Sequence, residues 1–292
     1  MTEALDVSDQ GAWHAALDRI RTRFGGIDIL VNNAGFHARG PFDALTPEQI
    51  RQMIEVNLTA PLVATRLVLN DLKRSQRPAV INVASLAGRT PVPGSVVYSA
   101  TKFGLRAFGM ALAEELHGSR IRIASVSPGP IDTAFIMDDI DSVSDLTFSQ
   151  PIVTPEQVAA AIVRLVDGGP RDLPLPRISG WLTTLTYLFP GLGRMMRPML
   201  ERRGRRTKER IKRERSRHQS IKSAGSNPVG TTHRDMPEQN SPVFRANPAA
   251  RLVARAADSQ NIVDRCSFVN TMCTRNYRRH CLDTPLCRNR YR

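Results

Sequence analysis

The chain has 292 residues and a formal net charge of +14, room for one large or two modest domains. All of that charge sits in the last third: residues 201–292 hold 22 Lys+Arg against 8 Asp+Glu, whereas residues 1–200 hold 19 of each. A neutral body with a basic appendage says nothing about the charge of the active site's substrate, and confines the nucleic-acid or anionic-lipid contact that the high charge would suggest to the appendage.

All four cysteines, Cys266, Cys273, Cys281 and Cys287, fall in that last third. Residues 1–200 have none, which fits a fold made in a reducing cytoplasm without disulfides. The opening MTEALDVSDQ is acidic and lacks an apolar core, so no signal peptide is expected. No run reaches the roughly 18–20 apolar residues of a membrane span.

In chain order, Leu5-Asp6-Val7 reads as the end of a strand, with Ser8 as cap of the helix that follows. Trp13, Ala16, Leu17, Ile20 and Phe24 recur at helical spacing, and Gly25-Gly26 stops the helix. Ile27 to Val31 is a buried-strand pattern closed by Asn32-Asn33-Ala34-Gly35. Thr46-Pro47-Glu48-Gln49 is a capping box with Pro at the first helical position. Its helix is expected to run to about Leu72, kinked at Pro61. Ala79–Val83 is a strand, Val97 to His117 a helix, and Ile121 to Val126 a strand ending at Pro128-Gly129. Thr154-Pro155-Glu156-Gln157 is a second capping box. This alternation predicts a parallel sheet covered on both faces, with ligands beyond the carboxyl ends of its strands.

The residues that carry chemistry gather at those strand ends. Tyr98 and Lys102 are four apart and share a helix face. A free tyrosine has a pKa of about 10, and a nearby ammonium lowers it. Reaching neutrality needs roughly 4 kcal/mol at 1.36 kcal/mol per unit. Ser85 follows a strand and offers a hydroxyl to a substrate carbonyl. Asn57 stands inside a helix, where Asn is a mediocre helix former.

N-N-A-G after a strand, Asn57, Ser85, Tyr98-Ser-Ala-Thr-Lys102 and Pro128-Gly129 with Thr133 closely resemble the short-chain dehydrogenase/reductase family, over about residues 5–170. The resemblance implies a Rossmann-like α/β fold, a doubly wound parallel sheet, and a hydride exchanged between NAD or NADP and an alcohol/carbonyl pair. It further implies that Tyr98 is the general acid or base, that Lys102 lowers the tyrosine pKa and holds the nicotinamide ribose, and that Ser85 orients the substrate carbonyl. Asn57 resembles the residue that fixes a relay water. Asp6 and Val7 look like adenine contacts. Asn33, Ala34 and Gly35 resemble the motif beside the cofactor, and Pro128, Gly129, Ile131 and Thr133 the loop facing the nicotinamide. Related enzymes form dimers or tetramers through the helices bearing the Asn and Tyr-Lys positions, so a homo-oligomer is expected.

The pattern also departs from the family. No G-x-x-x-G-x-G precedes Asn33, the turn on which a pyrophosphate would rest. The chain corresponds to the family pattern from its third strand onward. An N-terminally truncated fold would bare one edge of the Ile27–Val31 strand and impair cofactor binding. A native start upstream and a decayed gene product both fit, and a catalytically dead binding or scaffold protein is the alternative function.

The sequence therefore divides into a partial Rossmann-type oxidoreductase domain at 1–170, an amphipathic segment or lid at 171–203, and a basic tail at 204–292 expected to be disordered. Residues 178–203 combine aromatics with arginines and suit peripheral membrane contact. The tail lacks interleaved aromatics and any nucleic-acid motif, so no nucleic-acid partner is expected. Its cysteine spacing, C-x6-C-x7-C-x5-C, lacks the short pairs of a zinc module, so no metal is expected.

Overall fold

The structure is a computed structural model, and it describes residues 4–138, 140–224 and 271–273. Its centre is a sheet of four parallel strands, β1 (Ile29–Asn32), β2 (Ala79–Val83), β3 (Arg122–Pro128) and β4 (Asp172–Leu175), in the order β4-β3-β2-β1. Leu30, Val80 and Ile123 are register partners and join one core, with Trp13 and Leu17 of α1 (Gln10–Phe24) and Val68 and Leu72 of α3 (Ala60–Arg74). Their neighbours Val31, Ile81 and Ala124 point the other way, to Ala161 and Leu165 of α6 (Pro155–Val166). The period-two alternation of strand side chains thus covers both faces with helices, which is why these strands read as continuous apolar runs.

Both capping boxes form. Thr46 and Thr154 each accept from the backbone N–H three residues on, and Gln49 and Gln157 return the bond, opening α2 (Pro47–Ile54) and α6. The start of the chain differs from expectation. Leu5–Val7 is not a strand; Val7 buries into the core, its carbonyl accepts from the Trp13 indole at 3.0 Å, and the cap of α1 is Asp9 rather than Ser8. Asp6 accepts from both the backbone and the hydroxyl of Ser8, a local turn that consumes Ser8 and leaves the next carboxylate to cap.

The edge of β1 is not bare. Thr271–Cys273 forms a short strand, β5, antiparallel to β1. Beyond α4 (Val96–Glu115), β3 and the short α5 (Ala134–Met137), the chain ends its sheet with β4 and continues into α7 (Arg177–Leu188) and α8 (Pro190–Ala224). The helix α8 runs 21 residues past Arg203. Arg, Lys and Glu are good helix formers, and the pairs Arg197–Glu201 and Arg210–Glu214 stand one turn apart along it. The expected disorder of 225–270 and 274–292, with Cys266, Cys281 and Cys287, lies outside the described residues. No helix among the described residues is long and apolar enough to cross a membrane.

Candidate active site

Four elements converge on the helix α4 at the carboxyl ends of β1, β2 and β3. The first is the irregular helix that carries Asn57. Next to Pro61 a π turn spans Glu55–Thr59 between α2 and α3, and Ala60 N–H bonds five residues back to Glu55. Pro61 has no N–H, and in a regular helix its ring would press on the carbonyl of Asn57. The wider turn relieves that contact, as π turns at functional sites often do. Asn57 is fully buried within it. Its amide grips the backbone of Phe36 from both sides, accepting from the N–H at 2.9 Å and donating to the C=O at 2.8 Å.

The second element is the segment after β1. Asn33, Ala34 and Gly35 extend past the strand end, with Asn33 and Gly35 exposed. A Cβ at Gly35 would lie 3.0 Å from Asn57 Oδ1 and 3.3 Å from Lys102 Nζ. Glycine keeps this approach open, forming a cradle over both side chains.

The third is the turn after β2. Ser85 caps the short helix Leu86–Gly88, its hydroxyl accepting from Ala87 N–H at 3.1 Å. A Cβ at Gly88 would meet the backbone carbonyl of Lys102 at 2.6 Å. This glycine sets the turn directly on α4, which brings the Ser85 hydroxyl into hydrogen-bond contact with Tyr98.

Tyr98 and Lys102 occupy one face of α4, as their spacing requires. The Lys102 ammonium lies 5.7 Å from the Tyr98 ring centroid and donates to Val83 C=O at 3.0 Å. Thr101, between them, stands 3.4 Å from the Asn57 amide. Gly109 lets the same helix close on the sheet, since a Cβ there would meet Asn82 and Ser125 at 2.8 Å. The fourth element, the turn after β3, brings Pro128, Gly129, Ile131 and Thr133 alongside: a Cβ at Gly129 would lie 3.3 Å from Leu86, Ile131 bridges Val153, and Thr133 opens α5.

Burial pushes the Tyr98 phenol up, opposed by the hydrogen bond from Ser85 and the positive charge of Arg39. Lys102 is itself desolvated and drops to about 8. Tyr98 is therefore held protonated, as a donor. Two residues that sequence reasoning missed stand beside it. The His37 imidazole stacks on the Tyr98 ring, centroids 4.3 Å apart and 18° from parallel. Burial and Arg39 hold it at about 3, so it is neutral, and its buried Nε2 has no hydrogen-bond partner among the described residues. The only signal in the sequence was position, two and four residues after N-N-A-G.

Behind the site, Asp172 of β4 pairs with Arg89 and with Arg106, the latter at 2.6 Å. Arg89 lies four residues after Ser85 and Arg106 four after Lys102, so one carboxylate ties the two segments together. Asp6 and Val7 are engaged at the start of α1, as described above.

Residues 1–142 match the sequence profile of the family described as short chain dehydrogenase. Over these residues the chain belongs to the short-chain dehydrogenase/reductase family. It is 36% identical over 129 residues to the 3-alpha-(or 20-beta)-hydroxysteroid dehydrogenase of Mycobacterium bovis, covering 44% of this chain and 50% of that one. It is 32% identical over 138 residues to the cyclopentanol dehydrogenase of a Comamonas species, covering 47% and 55%. Among solved structures, 4-hydroxyisoleucine dehydrogenase complexed with NADH superposes with a TM-score of 0.50 at 27% identity, covering 58% of this chain and 76% of that one. The chain thus spans about half the length of these curated members of the family.

Proposed function

We propose that this protein is an NAD(P)-dependent oxidoreductase that interconverts a small-molecule alcohol and its carbonyl. The observation that carries the reading is the Tyr98–Ser85 hydrogen bond with Lys102 and Asn57 packed behind it. The named dehydrogenases among its relatives and the NADH of the superposed structure support it.

The residues present fit the nicotinamide end of such a cofactor. Lys102 and Tyr98 would meet its ribose, Asn33, Ala34 and Gly35 would line one side, and Pro128, Gly129, Ile131 and Thr133 the other, with Asp6 and Val7 assigned to the adenine. When bound, the cofactor supplies or accepts the hydride at the carbonyl carbon. The protein's part is the proton. In reduction, Ser85 donates a hydrogen bond to the carbonyl oxygen and Tyr98 passes its phenolic proton to that oxygen as charge develops there. The raised phenol suits this direction, since the acid is protonated at neutral pH. Lys102 then stabilises the phenolate left behind, and Asn57 fixes the cradle by holding Phe36.

The setting we propose is cytoplasmic, with peripheral membrane contact through residues 178–203. The assembly is a homo-oligomer through the helices that carry Asn57 and Tyr98, where Ile54, Val96 and Met110 are exposed; a monomer by light scattering would refute it. The activity is tested by titrating the full chain with NADH and NADPH, following nicotinamide fluorescence, and then assaying secondary alcohols and ketones. Binding with turnover that Tyr98→Phe abolishes is the expected result; turnover undiminished in Tyr98→Phe would overturn the assignment.

A further inference from the structure

The helix α7 presents two unlike faces. Ser179, Gly180 and Thr183 are buried, with Gly180 seated against Pro174 of β4. The opposite face carries Ile178, Trp181, Leu185 and Leu188, at steps of three and four residues, and Trp181 and Ile178 are 81% and 74% exposed. Phe189, Met195 and Met199 continue this apolar surface into α8. Large apolar side chains so placed are unusual on a protein surface that meets only water.

The charge around this face has one sign. From Leu173 to Leu200 there is no Asp or Glu, while Arg177, Arg194 and Arg197 are present. Between Arg194 and Arg217, α8 holds twelve Lys/Arg against three Glu. An apolar helix face with an indole at its centre, continued by a cationic helix, is the pattern of an element that lies in a membrane interface over anionic headgroups. Asp145 and Asp141 meet Arg205, Lys208 and Lys212, and Glu201 meets Arg197; Arg194, Arg202 and Arg203 have no acidic partner among the described residues, and a neutral apolar partner would give them none.

We infer that the α7 face inserts into an anionic lipid bilayer, with Ile178, Trp181, Leu185 and Leu188 at the acyl boundary and the first turns of α8 against the headgroups. This rests on the peripheral contact proposed for residues 178–203 and assigns its lipid class and its inserting residues. The docked helix is joined to the site: Tyr187 packs on Phe103, next to Lys102, with centroids 5.5 Å apart, and Thr186 meets Thr90 at 3.3 Å.

The molecule carries its own reporter. Of its two tryptophans, Trp13 is fully buried with its indole bonded to Val7, so a lipid-induced change in emission comes from Trp181. The full chain is mixed with vesicles of phosphatidylcholine alone, or with about a third phosphatidylserine, then sedimented and its emission recorded. Co-sedimentation and a blue shift with the serine lipid only are expected. Trp181→Ser should weaken co-sedimentation with the serine-lipid vesicles severalfold, and undiminished co-sedimentation would remove Trp181 from the inserting face. Arg194→Gln with Arg202→Gln should weaken binding roughly 25-fold, at about fivefold per cation lost. Equal binding to both vesicles would overturn the anionic assignment but leave the peripheral contact standing. No binding to either would overturn both. Sedimentation without a Trp181 shift would assign the contact to the basic tail and overturn the α7 face. Blue-shifted emission before any lipid is added, in a particle of twice the chain mass, would give the face to a second copy.

Discussion

Replacing Asp172 by alanine tests how the site is held in register. The carboxylate neutralises Arg89, only 7% exposed, and Arg106, and both guanidiniums bond to it. Burial already disfavours the charged form of Arg89, and Asp172 is what opposes that. Removing one partner of a buried pair leaves an uncompensated charge, at a cost of about 3–5 kcal/mol. Asp172 and Arg106 keep partial contact with water, so the lower end, about 3 kcal/mol, applies. For a domain of this size that lowers Tm by roughly 6–12 °C. The assay is thermal and urea unfolding of the full chain, in a cycle with Arg89→Met. The double variant should recover much of the loss, because no buried cation remains. If Asp172→Ala proves neutral, or if Arg89→Met adds to its loss, the carboxylate does not hold the two segments together. A second readout follows on the proposed chemistry: Ser85 and Lys102 flank the tether, so the single variant should lose on the order of a hundredfold in kcat, the scale of a ~1 Å misplacement.

Lys102→Met should raise stability by about 2 kcal/mol at neutral pH, the roughly 3 kcal/mol of a lysine held near 8 less a lost hydrogen bond. The unfolded chain binds the proton up to about 10.5 and the folded one only to about 8, so wild-type stability rises with pH across that window; the variant's advantage should vanish there, as urea midpoints taken from pH 7 to 10.5 would reveal. His37 is lowered to about 3 from 6.5, so its contribution is present above 6.5 and lost as pH falls toward 3. His37→Phe keeps the stacking on Tyr98 and should flatten acid unfolding between those values; an unchanged acid limb would show that the imidazole is not the group responsible. Gly35→Ala should cost about 1–3 kcal/mol by crowding Asn57 and Lys102, and should weaken nicotinamide binding more than it lowers Tm. A variant with wild-type affinity for both NADH and NADPH would remove Gly35 from the cofactor side.

Much of this was set by local sequence. The two Thr-Pro-Glu-Gln boxes form because each carries its own donors and acceptors within four residues. Tyr98 and Lys102 share a face because 3.6 residues make a turn, and the sheet is parallel because apolar strands alternate with amphipathic helices. What the tertiary structure decided lies in contacts between distant segments. Asp172 meets Arg89 and Arg106 across 83 and 66 residues. The His37 stack on Tyr98 requires Asn57 to hold Phe36, and the choice of Asp9 over Ser8 as cap turns on Asp6 claiming Ser8 first. The Tyr-Lys spacing places a cation nearby, but how much water surrounds the phenol is a property of the packed molecule, and its burial raises the phenol against the Ser85 hydrogen bond and the charge of Arg39.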